Sequence, residues 1–435
     1  MRSPISNYSS AISRTPKWPW RSLQLGLLTL PLLPALGIAG IIISLLGCLR
    51  QNFSLIKYQP INWCFASLTL WLLVTCALAN KPLEAFLGLA NIVPYFALVA
   101  ACSTLIKTPA QLRHLAWLIV IPSLPVVILG LGQLFLGWYT PEIFLALVAW
   151  VLEKGGNPPG RMASVFMYAN ILGIYLLITF NLGLGLWVKA FQDLRRNHQG
   201  RQFWFLTFTL IINAIAIIFT HSRSAWGIAG ISFLAFALYL SWRWLILGIS
   251  TSATIIAWAS WGPVWGQGFL RRIVPVYVWG RLSDQVITNR PLPTLRATQW
   301  QFAWDLAQKR PLTGWGLRNF TPLYEAQTQH WLGHPHNFFL MLAAETGFPA
   351  TIFFCAIVGW IVAKVAFLLT KYSSKLLPQD KLIIFTYLVA FSSCVLFNLF
   401  DVSLFDFRAN ILVWVLLTIL CGVSKPSFGN NKLYG

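Results

Sequence analysis

Apolar runs long enough to cross a lipid bilayer recur along almost the whole chain, and they restrict its possible folds more than any other feature. A helical span needs about 20 apolar residues, and only helices and closed barrels satisfy their backbone hydrogen bonds in lipid. These runs are long and show little of the alternation typical of barrel strands. Charged residues make up 10% of the chain, against about 25% in a soluble domain. The sequence therefore predicts an all-α polytopic membrane protein.

Most of the candidate spans are uninterrupted, but one apolar segment near the N-terminus is broken. The uninterrupted spans lie near 61–79, 83–106, 115–137, 163–188, 203–220, 225–240, 244–261, 338–369, 382–399 and 410–423. The segment 23–49 contains Pro31, Pro34 and Gly37 midway. That punctuation fits one tilted helix or a hairpin of two short helices. We expect about 10–12 transmembrane helices.

Lysine and arginine residues in the loops predict the orientation, because cytoplasmic loops carry an excess of them. Loops 189–201 and 370–381 are basic and should be cytoplasmic. Counting back along the chain places loop 50–60 on the same side, and the basic N-terminal tail also belongs there. Only the hairpin satisfies both requirements, so about 12 passes with both termini cytoplasmic are expected.

This topology divides the chain into five parts. We expect a cytoplasmic tail at 1–22, transmembrane helices at 23–261, one large extracytoplasmic loop at 262–335, further transmembrane helices at 336–423 and a cytoplasmic tail at 424–435.

Basic residues outnumber acidic ones in the loop 262–335, on the side where the charge rule predicts few. The basic residues are Arg271, Arg272, Arg281, Arg290, Arg296, Lys309, Arg310 and Arg318, and the acidic ones are Asp284, Asp305 and Glu325. Arginine binds phosphate oxygens bidentately, so an anionic substrate such as a phosphate or an acidic sugar is one explanation. The other is that long translocated loops escape the charge rule.

An amphipathic helix is predicted within this loop by the sequence LRATQWQFAWDLAQKRP, which ends before Pro311. Trp300 and Trp304 lie four residues apart and therefore share a face. Their flat rings suit either a bilayer surface or the apolar face of a sugar.

Two histidines close the polar segment, immediately before an apolar run. Imidazole exchanges a proton near neutral pH, so His336 is a candidate general base towards a hydroxyl group, with helix capping as the alternative. Pro335 separates it from His334, and the two rings do not share a helical face. No Asp, Glu or Cys lies close by in sequence, and none of the seven cysteines forms a CxxC pair. We therefore expect neither a metal nor a cofactor.

Polar side chains at span ends are the remaining candidates. Arg223 lies between two apolar runs, and Arg161 opens another run with Asn170 two turns deeper. A charge near the membrane core costs roughly 2.5–3.5 kcal/mol, which implies a partner or a water-filled cavity unless the side chain extends to headgroups. Asn170 is typical of an interhelical hydrogen bond. Glu345 is expected to pair with one of these arginines or to make a packing contact, and Asp401 to be interfacial.

Several stretches together resemble the O-antigen ligase family, which is grouped with the O-antigen polymerases. His336-Asn337, nine residues and then Gly347-Phe-Pro-Ala350-Thr351 are similar to the family's His-plus-amide motif and G-x-x-G turn, with Ala350 in place of glycine. RATQWQFAWDLAQKRPLTGWGLRNF resembles its arginine–tryptophan helix and the turn that follows. THSRSAWGIAG and RMASVFMYANILGIYLL resemble its Ser-Arg span boundary and its Arg…Asn span opening. The resemblance covers roughly residues 155–365.

The resemblance implies a GT-C-like membrane fold in a bacterial inner membrane. It also implies transfer of a glycan from a polyprenyl-pyrophosphate carrier to an acceptor hydroxyl on the periplasmic side, without nucleotide or metal. Carried over to this chain, His336 is the general base, and Arg161 and Arg223 hold the pyrophosphate. The substrate-binding residues would be Arg296, Arg318, His334, Glu345 and Asn170. The expected partners are the lipid-linked glycan donor, a lipid- or glycan-linked acceptor and membrane lipid, with no nucleic acid.

Two other functions remain open from the sequence. An O-antigen or exopolysaccharide polymerase differs only in its acceptor. A transporter of a small anion such as bicarbonate should show repeated halves and polar residues at mid-membrane depth, whereas the polar residues of this chain cluster at one face.

Overall fold

The computed structural model describes residues 17–143, 148–197, 200–283, 285, 291–371, 374, 376–425 and 428. Of the described residues, 78% are helical, and none is in a strand. Their α-helices are α1 (Lys17–Thr29), α2 (Pro34–Lys57), α3 (Pro60–Ala77), α4 (Pro82–Gly88), α5 (Val93–Cys102), α6 (Pro109–Val120), α7 (Ser123–Phe135), α8 (Ala169–Asn197), α9 (Arg201–Phe219), α10 (Arg223–Tyr239), α11 (Arg243–Trp261), α12 (Val264–Ile273), α13 (Val276–Leu282), α14 (Arg296–Lys309), α15 (Phe320–Thr328), α16 (Phe338–Lys371), α17 (Pro378–Phe397) and α18 (Phe407–Val423).

The length and hydropathy of these helices confirm an all-α polytopic membrane protein. Among the described residues, nine helical segments are long and apolar enough to cross a bilayer, and α18 is a shorter apolar helix. The segment 23–49 is indeed broken, because α1 ends at Thr29 and α2 begins at Pro34. The first helix starts at Lys17, within the stretch assigned to the tail. The rest of that tail, with Arg2 and Arg14, lies outside the described residues. The number of passes and the orientation stay predictions.

The long helix α8 is the centre of the bundle, since 83% of the residues in its most apolar stretch are buried. It packs against α17, α9, α6 and α10. By contrast, only 11% of the most apolar stretch of α11 is buried. This low burial places α11 at the periphery of the bundle. The start of α8, the turn between α9 and α10, and the loop between α17 and α18 meet at one end of the bundle, here called the site end.

The polar segment after α11 is hydrogen-bonded to α16 at the site end, next to a break in that helix. Gly347 interrupts this helix with φ +78° and ψ +167°, a conformation that only glycine adopts readily. A Cβ there would lie 2.3 Å from the Leu312 carbonyl oxygen. Trp315 N–H donates to the Ala344 carbonyl and Gly316 N–H to that of Glu345. The Gly347 turn and the 311–316 turn, which the sequence marked separately, thus bind one another.

The predicted helix is found as α14, which ends at Lys309 just before Pro311 and buries Gln299, Ala303, Leu306 and Ala307. Because its C-terminal connection binds α16, this helix is held across the site end, where α14 packs on α16. Asp284 and Arg290 of the same segment lie outside the described residues.

Candidate active site

His336 and Asp401 form the centre of the site. His336 precedes α16, whose first turn is capped by Asn337: its side-chain oxygen accepts the Leu340 N–H at 3.0 Å. The His336 backbone has φ +52°, a left-handed value uncommon for a residue other than glycine. Its Nδ1 lies 3.1 Å from Oδ1 of Asp401. Because an ionised carboxylate only accepts, Nδ1 carries the proton and Nε2 keeps its lone pair.

Asp401 is buried at 3% exposure in the loop between α17 and α18. Burial opposes ionisation of this carboxyl group. The hydrogen bond with His336, the electrostatic interactions with His334 and His336, and the Val402 N–H together outweigh burial and hold the pKa of Asp401 below its ordinary value of 3.8. Asp401 is therefore a carboxylate at neutral pH, able to orient the His336 ring and to stabilise a positive charge on it.

A hydrogen-bond relay joins Asp401 to Arg161. Asn170, in the first turn of α8, donates from Nδ2 to Oδ2 of Asp401. The other atom of that amide, Oδ1, accepts from Nη2 of Arg161. Asn170 is thus the interhelical hydrogen-bonding group that its sequence position indicated, and it connects the candidate base with the candidate anion-binding arginine.

Arginine side chains converge on the turn between α9 and α10. Arg161 Nε donates to the Thr220 carbonyl at 2.9 Å, and Arg281 Nε donates to the adjacent His221 carbonyl at 3.2 Å. Arg223, the first residue of α10, donates from Nη1 to the Arg281 carbonyl at 3.0 Å. Three like charges around one short turn repel one another in the absence of an anion, so the arrangement suits a phosphate-bearing ligand.

This concentration of positive charge lowers the pKa of neighbouring basic groups. Burial, together with the charges of Arg281 and Arg161, lowers the pKa of His221 to about 4. Burial also lowers the pKa of Arg161, Arg281 adds to this effect, and Tyr168 and Asp401 oppose it. The ring of Tyr277 packs edge to face against that of His221, with centroids 4.8 Å apart. His221 is consequently neutral near pH 7 and adds no charge to the three arginines.

His334 is a neighbour of the pair but has a different role. Its Nδ1 accepts the His336 backbone N–H at 3.2 Å, which places the proton of the neutral ring on Nε2, 3.8 Å from Oδ1 of Asp401. Burial lowers the pKa of His334 to about 4, an effect that Asp401 opposes and that His336 and Arg296 reinforce. His334 is therefore a neutral support for the His336 main chain.

His334, His336 and Asp401 lie close enough together to be considered as a possible metal site. The sequence argument against a metal relied on the lack of a nearby carboxylate, and that premise is wrong in space. Ligand atoms of His334, His336 and Asp401 lie within 4.8 Å of one another. Metal binding needs a lone pair on the coordinating nitrogen, whereas Nε2 of His334 carries the proton in the observed hydrogen-bond pattern. The arrangement fits a hydrogen-bonded acid–base centre better than a metal centre, and the metal-free site stays a prediction.

Other predicted site residues lie elsewhere at this end of the molecule. Glu345 is buried and accepts the Phe320 N–H at 3.2 Å, so it makes the packing contact and not the alternative pair with Arg161 or Arg223. Arg318 lies 3.5 Å from Glu84 on the exposed side of the 314–320 turn. Arg296, at the start of α14, lies within electrostatic range of His334.

Sequence reasoning missed Asp401 and Arg281 as site residues. Asp401 was expected to be interfacial because it follows a span, and nothing local separates it from other span-end carboxylates. Arg281 was one of eight basic residues in its segment.

The helices and this His–Asp centre define a polytopic membrane protein with a candidate acid–base site beside an arginine cluster. Residues 208–355 match the family model described as O-antigen ligase. The match covers about a third of the chain, and over that region it supports a membrane enzyme of the general O-antigen ligase/polymerase type. The matched region contains His336, Arg223 and Arg281, whereas Arg161, Asn170 and Asp401 lie outside it. A comparison with curated proteins gave no match.

Proposed function

We propose that this protein transfers a glycan from a polyprenyl-pyrophosphate carrier to a hydroxyl group of a lipid- or glycan-linked acceptor, at the outer face of the membrane. The observation that carries the proposal is the relay from His336 through Asp401 and Asn170 to Arg161. It places a base with a defined tautomer and an anion-binding guanidinium on two sides of one carboxylate. This combination suits glycan transfer from a phosphate leaving group, because a base activates the acceptor hydroxyl and a cation stabilises the departing pyrophosphate.

The proposed reaction begins at Nε2 of His336, which takes the proton of the acceptor hydroxyl as that oxygen attacks the anomeric carbon of the donor sugar. The bond between this carbon and the pyrophosphate oxygen breaks, and its electrons remain on the pyrophosphate. The imidazolium that forms is stabilised by Asp401 and later loses its proton to solvent. The leaving group is the lipid-linked pyrophosphate. Because this lipid carrier already activates the sugar, no nucleotide takes part.

The leaving group gains negative charge in this step, and Arg161, Arg223 and Arg281 are placed to stabilise it. Arg161 uses Nε and Nη2 on protein acceptors, two of the five N–H donors of a guanidinium. Donors held in place before the reaction stabilise developing charge without reorganisation, and they act more strongly in a partly buried site than in water. Arg296 is farther along the same face and is proposed to assist.

An apolar cavity beneath the centre supports a lipid-linked substrate. Its volume is about 440 Å³, and it lies among α3, α5, α16, α17 and α18. Its lining includes Phe338, Asn398 and Ser403, and the Phe338 N–H donates to the Asn398 carbonyl at 2.9 Å. This joins the cavity to the segments that hold His336 and Asp401. We propose that it receives a hydrocarbon chain of a substrate.

The proposal is tested in cells that lack the chromosomal copy and carry a plasmid copy. His336→Ala and Arg161→Ala should abolish attached surface glycan while the protein stays folded in the membrane at normal levels. Arg243→Ala, which changes an exposed arginine at the start of α11, is the matched control and should leave the glycan intact. Normal glycan display with either site variant would refute the proposal.

The polymerase alternative has the same chemistry, and the products of that experiment separate the two. Loss of a ligase leaves long chains on the lipid carrier, whereas loss of a polymerase leaves single repeats attached to the acceptor. We propose the ligase because it is the description of the matched family.

A further inference from the structure

An exposed group of aromatic rings borders the His–Asp centre on the side away from Arg161. The loop between α17 and α18 turns Asp401 inwards and leaves Phe400 and Phe405 exposed at 40% and 42%. The Phe405 ring lies nearly parallel to that of His334, with centroids 5.9 Å apart. The Phe400 ring faces Trp300 of α14 at 6.5 Å. Trp300, Phe400 and Phe405 are here called the aromatic rim.

The position of the rim along the relay indicates which substrate it serves. Arg161 and Asn170 reach Asp401 through Oδ2, whereas His336 and His334 approach through Oδ1. Phe405 follows on the far side of His334. The arginine relay and the histidine next to Phe405 therefore contact Asp401 through different oxygens, and this separation suits two different substrate molecules.

The chemistry of the rim favours a sugar ring. Flat aromatic faces pack against the C–H faces of a pyranose and leave its hydroxyl groups outward, where one can reach Nε2 of His336. Arg296 lies one turn before Trp300 on the same face of α14 and reinforces the low pKa of His334.

We propose that the aromatic rim is the acceptor subsite, which binds a sugar ring of the acceptor glycan by stacking on Phe400 and Phe405. The proposal rests on the proposed glycan transfer and adds the location and chemical class of the acceptor. The competing role for exposed aromatic rings at the end of a membrane bundle is anchoring in the lipid interface.

Leucine substitutions separate these roles. Phe400→Leu and Phe405→Leu keep an apolar side chain for contact with lipid but remove the flat face that a sugar needs. Both positions are two-fifths exposed, so the fold should tolerate the change. Trp204→Leu, an exposed aromatic at the opposite end of the bundle, is the control.

The experiment is saturation-transfer difference NMR on the full chain in lipid nanodiscs, with methyl α-D-glucopyranoside as the probe and sorbitol as a polyol without a ring face. Saturation should reach the ring C–H protons of the glucoside and not sorbitol. The signal should fall roughly threefold to tenfold in each Phe→Leu variant, as expected for loss of an aromatic contact, and stay unchanged in Trp204→Leu.

No donor is present in this experiment, so its outcome is independent of the transfer reaction. Arg161→Ala should keep the glucoside signal while it loses glycan transfer. Equal signals from wild type and both Phe→Leu variants, equal signals from glucoside and sorbitol, or no signal from wild type would each overturn the acceptor subsite. The Phe rings would then belong to the lipid interface.

Discussion

The turns at the two ends of α10 have nearly the same backbone but different surroundings. At one end His221 has φ +53°, and Arg223 begins α10; at the other, Ser241 has φ +56°, and Arg243 begins α11. The His221 N–H donates to the Ile218 carbonyl at 3.0 Å, and the Ser241 N–H donates to that of Leu238 at 3.1 Å. Local sequence thus builds the same turn twice.

Only the first turn becomes part of a site. Arg161 and Arg281 come from distant parts of the chain and donate to its carbonyl groups, and the relay joins it to Asp401. The second turn leaves Arg243 exposed and packs Trp242 against Trp187 at 6.3 Å. An arginine two residues after a left-handed turn therefore identifies a helix start, and its neighbours decide whether it belongs to a site.

The largest effect on the rate of glycan transfer is expected when the relay that distinguishes the first turn is broken at Asp401. Asp401→Asn should lower the rate of glycan transfer roughly 10³–10⁴-fold, because an amide neither fixes the His336 tautomer nor stabilises the imidazolium. Single-turnover transfer in vesicles measures it. Asp380→Asn, which removes the partner of Arg113 at the opposite end, should leave the rate unchanged; a similar loss in both variants would contradict the assignment.

Removing one of the distant arginines should make the first turn more like the second. Arg281→Ala should lower kcat about 10²–10³-fold through lost stabilisation of the leaving group. The backbone carbonyl that accepts from Arg223 remains in this variant, so the change isolates the Arg281 side chain. Steady-state kinetics in nanodiscs provide the measurement, with Arg243→Ala as the control. An unchanged kcat in Arg281→Ala would remove this residue from the anion site.

Exchanging the left-handed residues tests the electrostatic difference between the turns. The pKa of His221 is about 4 in the folded protein against an ordinary 6.5, so the unfolded state binds more protons between these values. The stability contributed by neutral His221 is therefore present above pH 6.5 and falls as the pH drops towards 4.

His221→Ser should reduce the loss of thermal stability between pH 7 and pH 5, because it removes the group that burial and the arginines keep neutral. Ser241→His should add no comparable dependence, since Arg281 and Arg161 do not reach that turn. Melting temperatures at both pH values, with wild type in parallel, measure the difference. The same pH dependence in wild type and His221→Ser would count against the electrostatic explanation.

The smallest effect concerns the cap at the start of α10. Ser222 accepts the Ala225 N–H at 3.4 Å, whereas Trp242, in the equivalent place before α11, makes no side-chain cap bond. Ser222→Ala should lower the free energy of unfolding by about 1 kcal/mol, measured by denaturant titration in detergent. Thr254→Ala, an exposed position inside α11, is the reference; equal losses in both would show that the cap contributes nothing.

The candidate site was predictable where a residue is unusual in its own neighbourhood. His336 ends a polar segment before an apolar run, and Arg161 and Arg223 are charges at span boundaries, so the cost of burying charge marks them in one dimension. Asp401 and Arg281 are ordinary in their local sequence. Glu345 was an unusual charge in a span, yet its partner is the Phe320 backbone N–H and not an arginine, because the 311–320 segment folds onto it.

The sequence alone determined the membrane class, the helix-forming runs and the break in the segment 23–49, since hydropathy and proline punctuation are local properties. Only the tertiary structure decided that Asp401 faces His336, that Asn170 bridges Asp401 to Arg161 and that Arg281 reaches the first turn and not the second. These contacts depend on the packing of α8, α17 and the polar segment against one another. A buried carboxylate and clustered arginines are stable only where distant elements supply their partners, and no local pattern records that arrangement.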